Sequence, residues 1–460
     1  MTLAENKGLR LFTLCVLYVA QGIPWGFTAT TIPAYLGARG LSPEAIGTAL
    51  VTTTLPYSFK WVWGPIIDAF TGSRFGRRRP WVVFAQLGMA ATILAMIAIP
   101  DLALDVKLLA WMILVHSTFN ALQDVAVDAL AIDLLDETER GRANGLMYAC
   151  KYGGGYIGGM GFAWIIAKSS LETALIVQTA ILGAIMLLPL LVRERATEPL
   201  PVAVAGGPSA GERMHAAAQR AGAVLRSLAE VFSLRSAIAA AVLVLGLNFA
   251  IGVLSTNGFA LFTQRLGWSP EDYTSLVGGY GLLAGGVGAA AGGFLADRFG
   301  HRRVIATASI VMATGWAVFG ALTYLWTNVA FVYAAAIVEA VSNSIMSVGI
   351  FALCMKLSSS RAGASQFTAY MAMMNFATTL GYRAAGSLFE RFDYAGCYLL
   401  VAGIQLAMTS VLLVIDPSET RRKLPLPEGT PTPVRGIIAV STLFTVLVGF
   451  TVYVTLTKLR

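Results

Sequence analysis

Charged residues are scarce in this sequence. Asp, Glu, Lys and Arg make up only 13% of its 460 residues, whereas 56% are hydrophobic, and the mean hydropathy is +0.69. Soluble domains carry about 25% charged residues, so this composition excludes an ordinary soluble protein and indicates an integral membrane protein. We therefore interpret the net charge of +8 as a sign of membrane topology and predict no nucleic-acid partner.

Cysteine and histidine are also rare. The four cysteines lie in apolar runs without a CxxC motif, and the three histidines show no metal-ligand spacing beside them. We therefore predict no disulfide, no metal site and no cofactor. A Walker A sequence is missing as well. Its absence argues against an ATP-driven pump.

Long apolar runs divide the chain into thirteen candidate membrane spans. A helix needs about 20 apolar residues to cross a bilayer, which predicts six spans within 1–192 and six within 234–416. A polar linker at 193–233 separates the two sets. A Pro-rich tether at 417–435 precedes the last span, at 436–460. The predicted fold is an all-α polytopic membrane protein with two six-helix bundles and one extra C-terminal transmembrane helix.

The positively charged residues fall mostly on one side of this arrangement. If the N-terminus lies in the cytoplasm, most of the 33 Lys and Arg residues lie in cytoplasmic segments. Positive residues are retained in the cytoplasm. We therefore predict a cytoplasmic N-terminus, a cytoplasmic linker and a periplasmic C-terminus.

The two predicted halves repeat one motif. Asp68 lies at the end of the second span and Asp297 at the end of the eighth, and a cluster of arginines follows each. Parallel six-helix repeats are typical of secondary transporters that bind their solute between the halves. We predict that both motifs act as conformational latches at the cytoplasmic surface. Their basic members are Arg77, Arg78, Arg79, Arg298, Arg302 and Arg303.

Three aspartates interrupt the apolar fourth span. Asp124 and Asp128 are four residues apart and share one helix face, whereas Asp133 lies roughly opposite. Lys60 in the second span and Lys151 in the fifth reach a similar depth. Because an unpaired charge inside a membrane is costly, we predict that these lysines pair with Asp124 and Asp128.

Two interpretations of this cluster remain open. It is either a structural ion-pair network between helices or a proton-coupling site, in which an aspartate takes up a proton when its lysine turns to an anionic solute. We predict a structural role for Asp133, with Arg140 and Arg142 near it in sequence, and a second proton-coupling site at Glu339. Further candidates for solute binding, besides the two lysines, are Gln21, Gln123, Asn248, Asn375 and Arg383.

Short motifs give the chain a resemblance to a known family. The pattern GxxxDRxGxRR at 293–303 resembles the helix 2–3 loop motif of the major facilitator superfamily. In the first half, GIP at 22–24, KxxWxPxxD at 60–68, FGRRR at 75–79 and QDxxxD at 123–128 resemble one branch of that superfamily. This branch joins the AmpG-type muropeptide permeases to the acetyl-CoA transporters.

The resemblance implies the major facilitator fold and proton-coupled import of a polar, anionic solute across a bacterial inner membrane. It favours a muropeptide, such as an anhydro-muramyl saccharide or peptide, with acyl-CoA thioesters and siderophores as alternatives. Two other classes are a membrane-embedded enzyme, for which we find no nucleophile–base pair, and a sensor that does not transport. We predict no catalytic residue, and a monomer whose partners are the lipid bilayer, a small-molecule solute and protons.

Overall fold

The computed structural model describes most of the chain. The described residues are 2–32, 35, 53, 55–57, 60–69, 76–99, 106–136, 138–195, 222–269, 272–273, 275–358, 363–424, 433–442 and 445–446. Within them the backbone is helical apart from turns, short irregular segments and isolated β-bridge positions, such as the bridge between Thr2 and Arg193. Eight of the described helices are long and apolar enough to cross a membrane. The predicted all-α polytopic fold is confirmed.

The first half contains helices α1 to α6. They are α1 (Lys7–Gly26, continued by a π-helical turn at Phe27–Thr31), α2 (Trp63–Ala69, after a 3₁₀ turn at Lys60–Val62), α3 (Arg79–Ile97), α4 (Val106–Leu134), α5 (Arg140–Tyr156, then Phe162–Lys168 after a π-helical turn) and α6 (Leu171–Leu191). All six lie within 1–192, where six spans were predicted, although most of the second span before Lys60 lies outside the described residues.

The second half contains helices α7 to α12. They are α7 (Arg235–Ala260), α8 (Leu282–Phe299), α9 (His301–Ala321), α10 (Val329–Leu357), α11 (363–392) and α12 (394–410). α11 and α12 form one helical segment that breaks at Asp393, whose φ is 58°. Most of the predicted linker and of the thirteenth span lies outside the described residues, apart from helical residues at 222–231 and 434–442.

Each half buries its own apolar core. One cluster of buried apolar side chains consists of first-half residues, and a second cluster consists of residues from the end of the linker onwards. Helices that are apolar on all sides bury one face in such a core and expose another to lipid. Exposed Trp111 and Leu187 belong to the lipid-facing set of the first half, and Val287 and Ile310 to that of the second.

Glycines allow α5 to approach two other helices closely. A Cβ atom added to Gly22 of α1 would lie 2.1 Å from the carbonyl oxygen of Lys151, and one added to Gly145 of α5 would lie 2.6 Å from that of Ala289. Any side chain at these positions would clash, so the close contact requires glycine. α5 therefore packs against α1 within the first half and against α8 of the second half.

Candidate functional site

A cavity of about 300 Å³ lies between the two halves. Its first-half wall carries the charged groups of Lys60, Asp124 and Lys151. The second half contributes amide and hydroxyl groups, which belong to Asn248, Ser344, Ser347, Asn375, Thr378, Thr379 and Tyr382. The cavity therefore combines ammonium groups on one wall with uncharged hydrogen-bonding groups on the other.

Asp124 of α4 is the centre of the charged wall. Its Oδ2 accepts a hydrogen bond of 2.8 Å from Nζ of Lys60, and its Oδ1 accepts one of 2.9 Å from Nζ of Lys151. Only 4% of Asp124 and 5% of Lys60 are exposed. Hydrogen bonds between ionised groups are among the strongest in proteins. The pairing of both lysines with Asp124 agrees with the depth estimated from the sequence.

Asp128 has a different partner from the one that we predicted. Its Oδ1 accepts a hydrogen bond from the hydroxyl group of Tyr18 in α1, and within the described residues no lysine forms an ion pair with it. A hydroxyl group can donate to a carboxylate and can also accept from a carboxylic acid. Asp128 can therefore gain or lose a proton without losing this partner.

Aromatic contacts join the halves next to Lys151. Its Nζ lies 5.7 Å from the ring centroid of Tyr148, a cation–π distance. Tyr148 stacks on Phe351 of α10 with ring centroids 4.3 Å apart. One turn further along α5, the hydroxyl oxygen of Tyr152 accepts a 3.1 Å hydrogen bond from Ser344. These contacts link α5 of the first half to α10 of the second half at the wall of the cavity.

Asp68 links the two halves at one membrane surface, on the side of the loops that follow α2 and α8, which we call the loop side. Its Oδ2 accepts hydrogen bonds of 2.9 and 2.8 Å from the backbone N–H and the hydroxyl group of Ser365 in α11. Its Oδ1 accepts one of 2.9 Å from Arg78, which also donates to Asp133 at 2.8 Å. Arg77 lies 3.5 Å from Asp133. The first-half motif therefore contains an ion network that reaches the second half.

Asp297 of the second half makes the equivalent contact with the first half. Its Oδ2 accepts a hydrogen bond of 2.7 Å from the backbone N–H of Arg142 in α5. Arg140 donates to the carbonyl oxygen of Met355 at 3.2 Å. Arg140 and Arg142, which lie near Asp133 in the sequence, therefore contact the second half.

The remaining latch arginines also lie on the loop side, and their role as conformational latches stays a prediction. Arg79 donates to the carbonyl oxygens of Pro189 and Leu190 in the last turn of α6, within the first half. Arg298, Arg302 and Arg303 form no ion pair with the residues that the structure describes. Because α9 begins directly after Gly300, Arg302 and Arg303 lie in its first turn and border a groove of the second half.

The predicted solute-binding amides fall into two groups. Asn248 and Asn375 line the cavity. Gln21 and Gln123 are buried on α1 and α4 but do not belong to the described lining, and the side-chain amide of Gln21 has no hydrogen-bond partner in the described part of the chain. Arg383 is exposed and also lies outside this lining.

Glu339 lies away from the cavity. It borders a separate pocket of about 40 Å³ within the second half, together with Trp316 and Tyr398. Ser344, five residues further along α10, lines the central cavity. Five residues correspond to about 140° around a helix, so these side chains point in different directions. The predicted proton-coupling site at Glu339 is therefore not part of the Asp124 cluster.

The aromatic residues of the site were not predicted from the sequence. Tyr18 lies three residues before Gln21, and Tyr148 lies three residues before Lys151. Residues three apart share a helix face. This spacing was the available signal, because it places both tyrosines beside polar residues that were already predicted to bind the solute.

Comparison with known sequences agrees with this architecture. The family model described as Major Facilitator Superfamily matches residues 14–269 and 237–459. The anhydromuropeptide permease of Escherichia coli (strain K12) is 29% identical over 143 residues, which cover 30% of this chain and 29% of that protein. An uncharacterised protein of Haemophilus influenzae is 29% identical over 147 residues, covering 31% of this chain and 34% of that one. The chain therefore spans about a third of the length of the curated relatives it matches.

Comparison with solved structures shows the same fold. The crystal structure of the human organic anion transporter MFSD10 (TETRAN) matches with a TM-score of 0.67 at 13% identity, covering 89% of this chain and 100% of that chain. At this identity the likeness concerns the fold alone. The chain belongs to the Major Facilitator Superfamily, and this multi-pass membrane protein resembles an AmpG-type permease over about a third of its length.

Proposed function

We propose that this protein imports a polar, anionic solute together with protons, and that the solute is a muropeptide such as an anhydro-muramyl saccharide or peptide. The observation that carries the proposal is the position of Asp124 between Lys60 and Lys151 at the wall of a cavity between the halves. The similarity to an anhydromuropeptide permease supports the choice of solute.

Competition for the lysines provides the coupling. An anionic group that enters the cavity can replace Asp124 as the partner of both Lys60 and Lys151, because an ammonium group is a strong donor to any carboxylate. The carboxylate of Asp124 then lies unpaired in the membrane, which is costly. Proton uptake by Asp124 removes that cost, so solute binding and protonation occur together.

Asp128 extends the path of the proton towards the loop side. It lies one turn further along α4 than Asp124, about 6 Å at a rise of 1.5 Å per residue. Its bond with Tyr18 persists in either protonation state. A proton released by Asp124 can therefore be held at Asp128 before it leaves on the loop side.

The cavity wall suits a saccharide with a peptide or acid group. Trp25 and Tyr57 provide apolar surfaces, and the amides of Asn248 and Asn375 provide hydrogen-bonding groups. Ligand sites have volumes of about 300–1000 Å³, so the cavity of about 300 Å³ is at the small end. A complete muropeptide therefore requires a wider cavity, which rocking of the halves would provide.

Uptake into proteoliposomes tests the proposal. We expect an anhydro-muramyl saccharide or peptide to accumulate only under an inwardly directed proton gradient, and Lys60→Gln to abolish this accumulation. The matched control is Lys168→Gln, which neutralises an exposed lysine at the end of α5.

Each alternative gives a different result in the same assay. Uptake of an acyl-CoA or a siderophore without uptake of muropeptides would contradict the proposed substrate. Accumulation that persists after a protonophore is added would contradict proton coupling. Binding of a muropeptide without counterflow would indicate a sensor.

A further inference from the structure

A groove of about 1000 Å³ lies at the loop side of the second half, apart from the central cavity. Arg302, Arg303 and Lys356 line its polar end, and Ile310 of α9 and Leu406 of α12 belong to its apolar wall. The proposed transport mechanism uses none of these side chains.

The polar end carries uncompensated positive charge. Among the described residues, Arg302, Arg303 and Lys356 form no ion pair. The acidic residue in the described lining is Asp297, whose carboxylate already accepts a backbone hydrogen bond from the first half. Nδ1 of His301 is buried and has no hydrogen-bond partner in the part of the chain that the structure describes. Three cations beside one carboxylate favour an anionic ligand.

An apolar groove of about 680 Å³ continues from this polar end along another face of α9. Phe299 and Arg303 line both grooves. The apolar groove runs between α9 and α10, past Val311 and Val338, which are 45% and 41% exposed. One cationic end thus leads into two apolar channels on different faces of the same helix.

The basic and the apolar side chains of the grooves lie at the membrane depths of a phospholipid headgroup and of its acyl chains, respectively. Arg302 and Arg303 lie in the first turn of α9, and Lys356 lies in the last turn of α10, so all three are at the membrane surface. Val311 is eight residues further along α9, about 12 Å deeper at 1.5 Å per residue. Basic side chains at headgroup level attract anionic lipids, and exposed apolar side chains below them contact acyl chains.

We propose that an anionic phospholipid of the loop-side leaflet binds to two faces of α9, at the first turns of this helix. Its phosphate group contacts Arg302, Arg303 and Lys356, and its two acyl chains follow the two grooves. Thr138 of the first half also lines the polar groove. The bound headgroup therefore lies beside the contact between the halves.

Thermal unfolding in detergent tests the proposal. Phosphatidylglycerol and phosphatidylcholine with identical acyl chains are added separately to the purified full chain. We expect phosphatidylglycerol to raise the unfolding temperature more than phosphatidylcholine does. The variant Arg302→Gln with Arg303→Gln should bind phosphatidylglycerol about tenfold more weakly or worse, since each basic side chain adds to the attraction. The control Arg195→Gln with Arg421→Gln removes the same charge from exposed sites and should keep the effect.

Three results would contradict the proposed lipid site. The first is equal stabilisation of the wild-type protein by the two lipids. The second is an unchanged effect of phosphatidylglycerol on the groove variant Arg302→Gln with Arg303→Gln, and the third is a loss of this effect in the control variant as large as in the groove variant. If the groove variant does not fold, native mass spectrometry of the wild-type protein with both lipids decides the question. Preferential retention of phosphatidylglycerol supports the proposal, and equal retention contradicts it.

Two further measurements separate a lipid from a free anion. Inorganic phosphate and glycerol 3-phosphate should give no stabilisation at the concentration where phosphatidylglycerol saturates, and an equal effect would mean that the groove binds phosphate without chains. Val311→Trp fills the apolar groove at an exposed position and should reduce the effect of phosphatidylglycerol. A full effect in this variant would contradict the proposed course of the acyl chains.

Discussion

At the scale of single residues, Asp124 and Asp128 are expected to respond differently to loss of a lysine. Lys60 bonds to Asp124 and forms no described ion pair with Asp128. Residues in contact show coupling energies of about 0.5–3 kcal/mol. We therefore expect a double-mutant cycle of Lys60→Met with Asp124→Asn to give a coupling of at least about 1 kcal/mol, measured by unfolding in detergent. The cycle with Asp128→Asn should give a smaller one.

The same variants separate stability from transport. The double variant Lys60→Met with Asp124→Asn, which we call the neutral pair, lacks the proton-accepting carboxylate and one of the two lysines of the site. Uptake should therefore stay absent even where stability is regained. Equal coupling of Lys60 to both aspartates would contradict the observed pairing. Restored uptake in the neutral pair would mean that the cluster is only a structural ion-pair network and has no role in proton coupling.

Tyr18 is the second residue-scale prediction. Tyr18→Phe removes the hydroxyl group that donates to Asp128, and a buried group without its partner costs about 1–3 kcal/mol. We expect a lower unfolding temperature and weaker proton-driven uptake. Tyr324→Phe removes a hydroxyl group from an exposed side chain and is the control. If the two variants behave alike, Tyr18 has no special role at Asp128.

Single residues also show what the sequence could predict. Helical rise is fixed, so residue numbers alone were enough to place Lys60 and Lys151 at the depth of Asp124. Tyr18 lies in an apolar helix and gives no charge signal, so it was missed. Asp133 pairs with Arg78, 55 residues away, and neighbours in sequence cannot indicate such a partner.

At the scale of helices, α5 is the element whose packing is most sensitive to side-chain size. A Cβ atom at position 145 would lie only 2.6 Å from the carbonyl oxygen of Ala289, so the side chain of Gly145→Leu would clash with α8. Such overpacking costs about 1–3 kcal/mol. We expect α5 and α8 to separate at the loop side, which should raise maleimide labelling of Cys354, a residue that is now 1% exposed.

The matched control for this prediction is Gly183→Leu. A Cβ atom at Gly183 of α6 meets no atom within 4 Å, so its side chain should be accommodated and Cys354 should stay protected. Mass spectrometry can assign the label to Cys354 among the four cysteines. Unchanged protection in Gly145→Leu would mean that the α5–α8 contact does not control access from the loop side.

Helix positions followed from apolar runs, but helix termini did not. The apolar runs at 80–99, 106–135 and 172–192 predict α3, α4 and α6 to within a few residues. The arginines of the second-half motif were predicted to lie in a short loop at the cytoplasmic surface. A single residue with positive φ, Gly300 at 85°, instead lets α9 begin at once, and a pattern of residue types does not specify where that helix starts.

At the scale of the whole molecule, the two halves repeat one contact. Asp68 accepts the backbone N–H of the third residue of α11, and Asp297 accepts that of the third residue of α5. The first N–H groups of a helix have no partner within it, and a carboxylate there also favours the helix dipole. The repeat predicted that both aspartates are equivalent. It could not show that each one binds a helix N-terminus of the opposite half.

The orientation of the molecule is the last prediction. Arginines of both halves, including Arg77 and Arg302, lie at the loop side, and positive residues are retained in the cytoplasm. We therefore expect a fluorescent protein inserted in the linker at 193–233 to fluoresce, and an alkaline phosphatase fused after Arg460 to be active in the periplasm. An inactive phosphatase together with a fluorescent fusion at the same terminus would contradict the thirteenth span. A linker located in the periplasm would mean that the predicted orientation is reversed. The loop side would then face the periplasm, and an imported proton would reach Asp128 before Asp124.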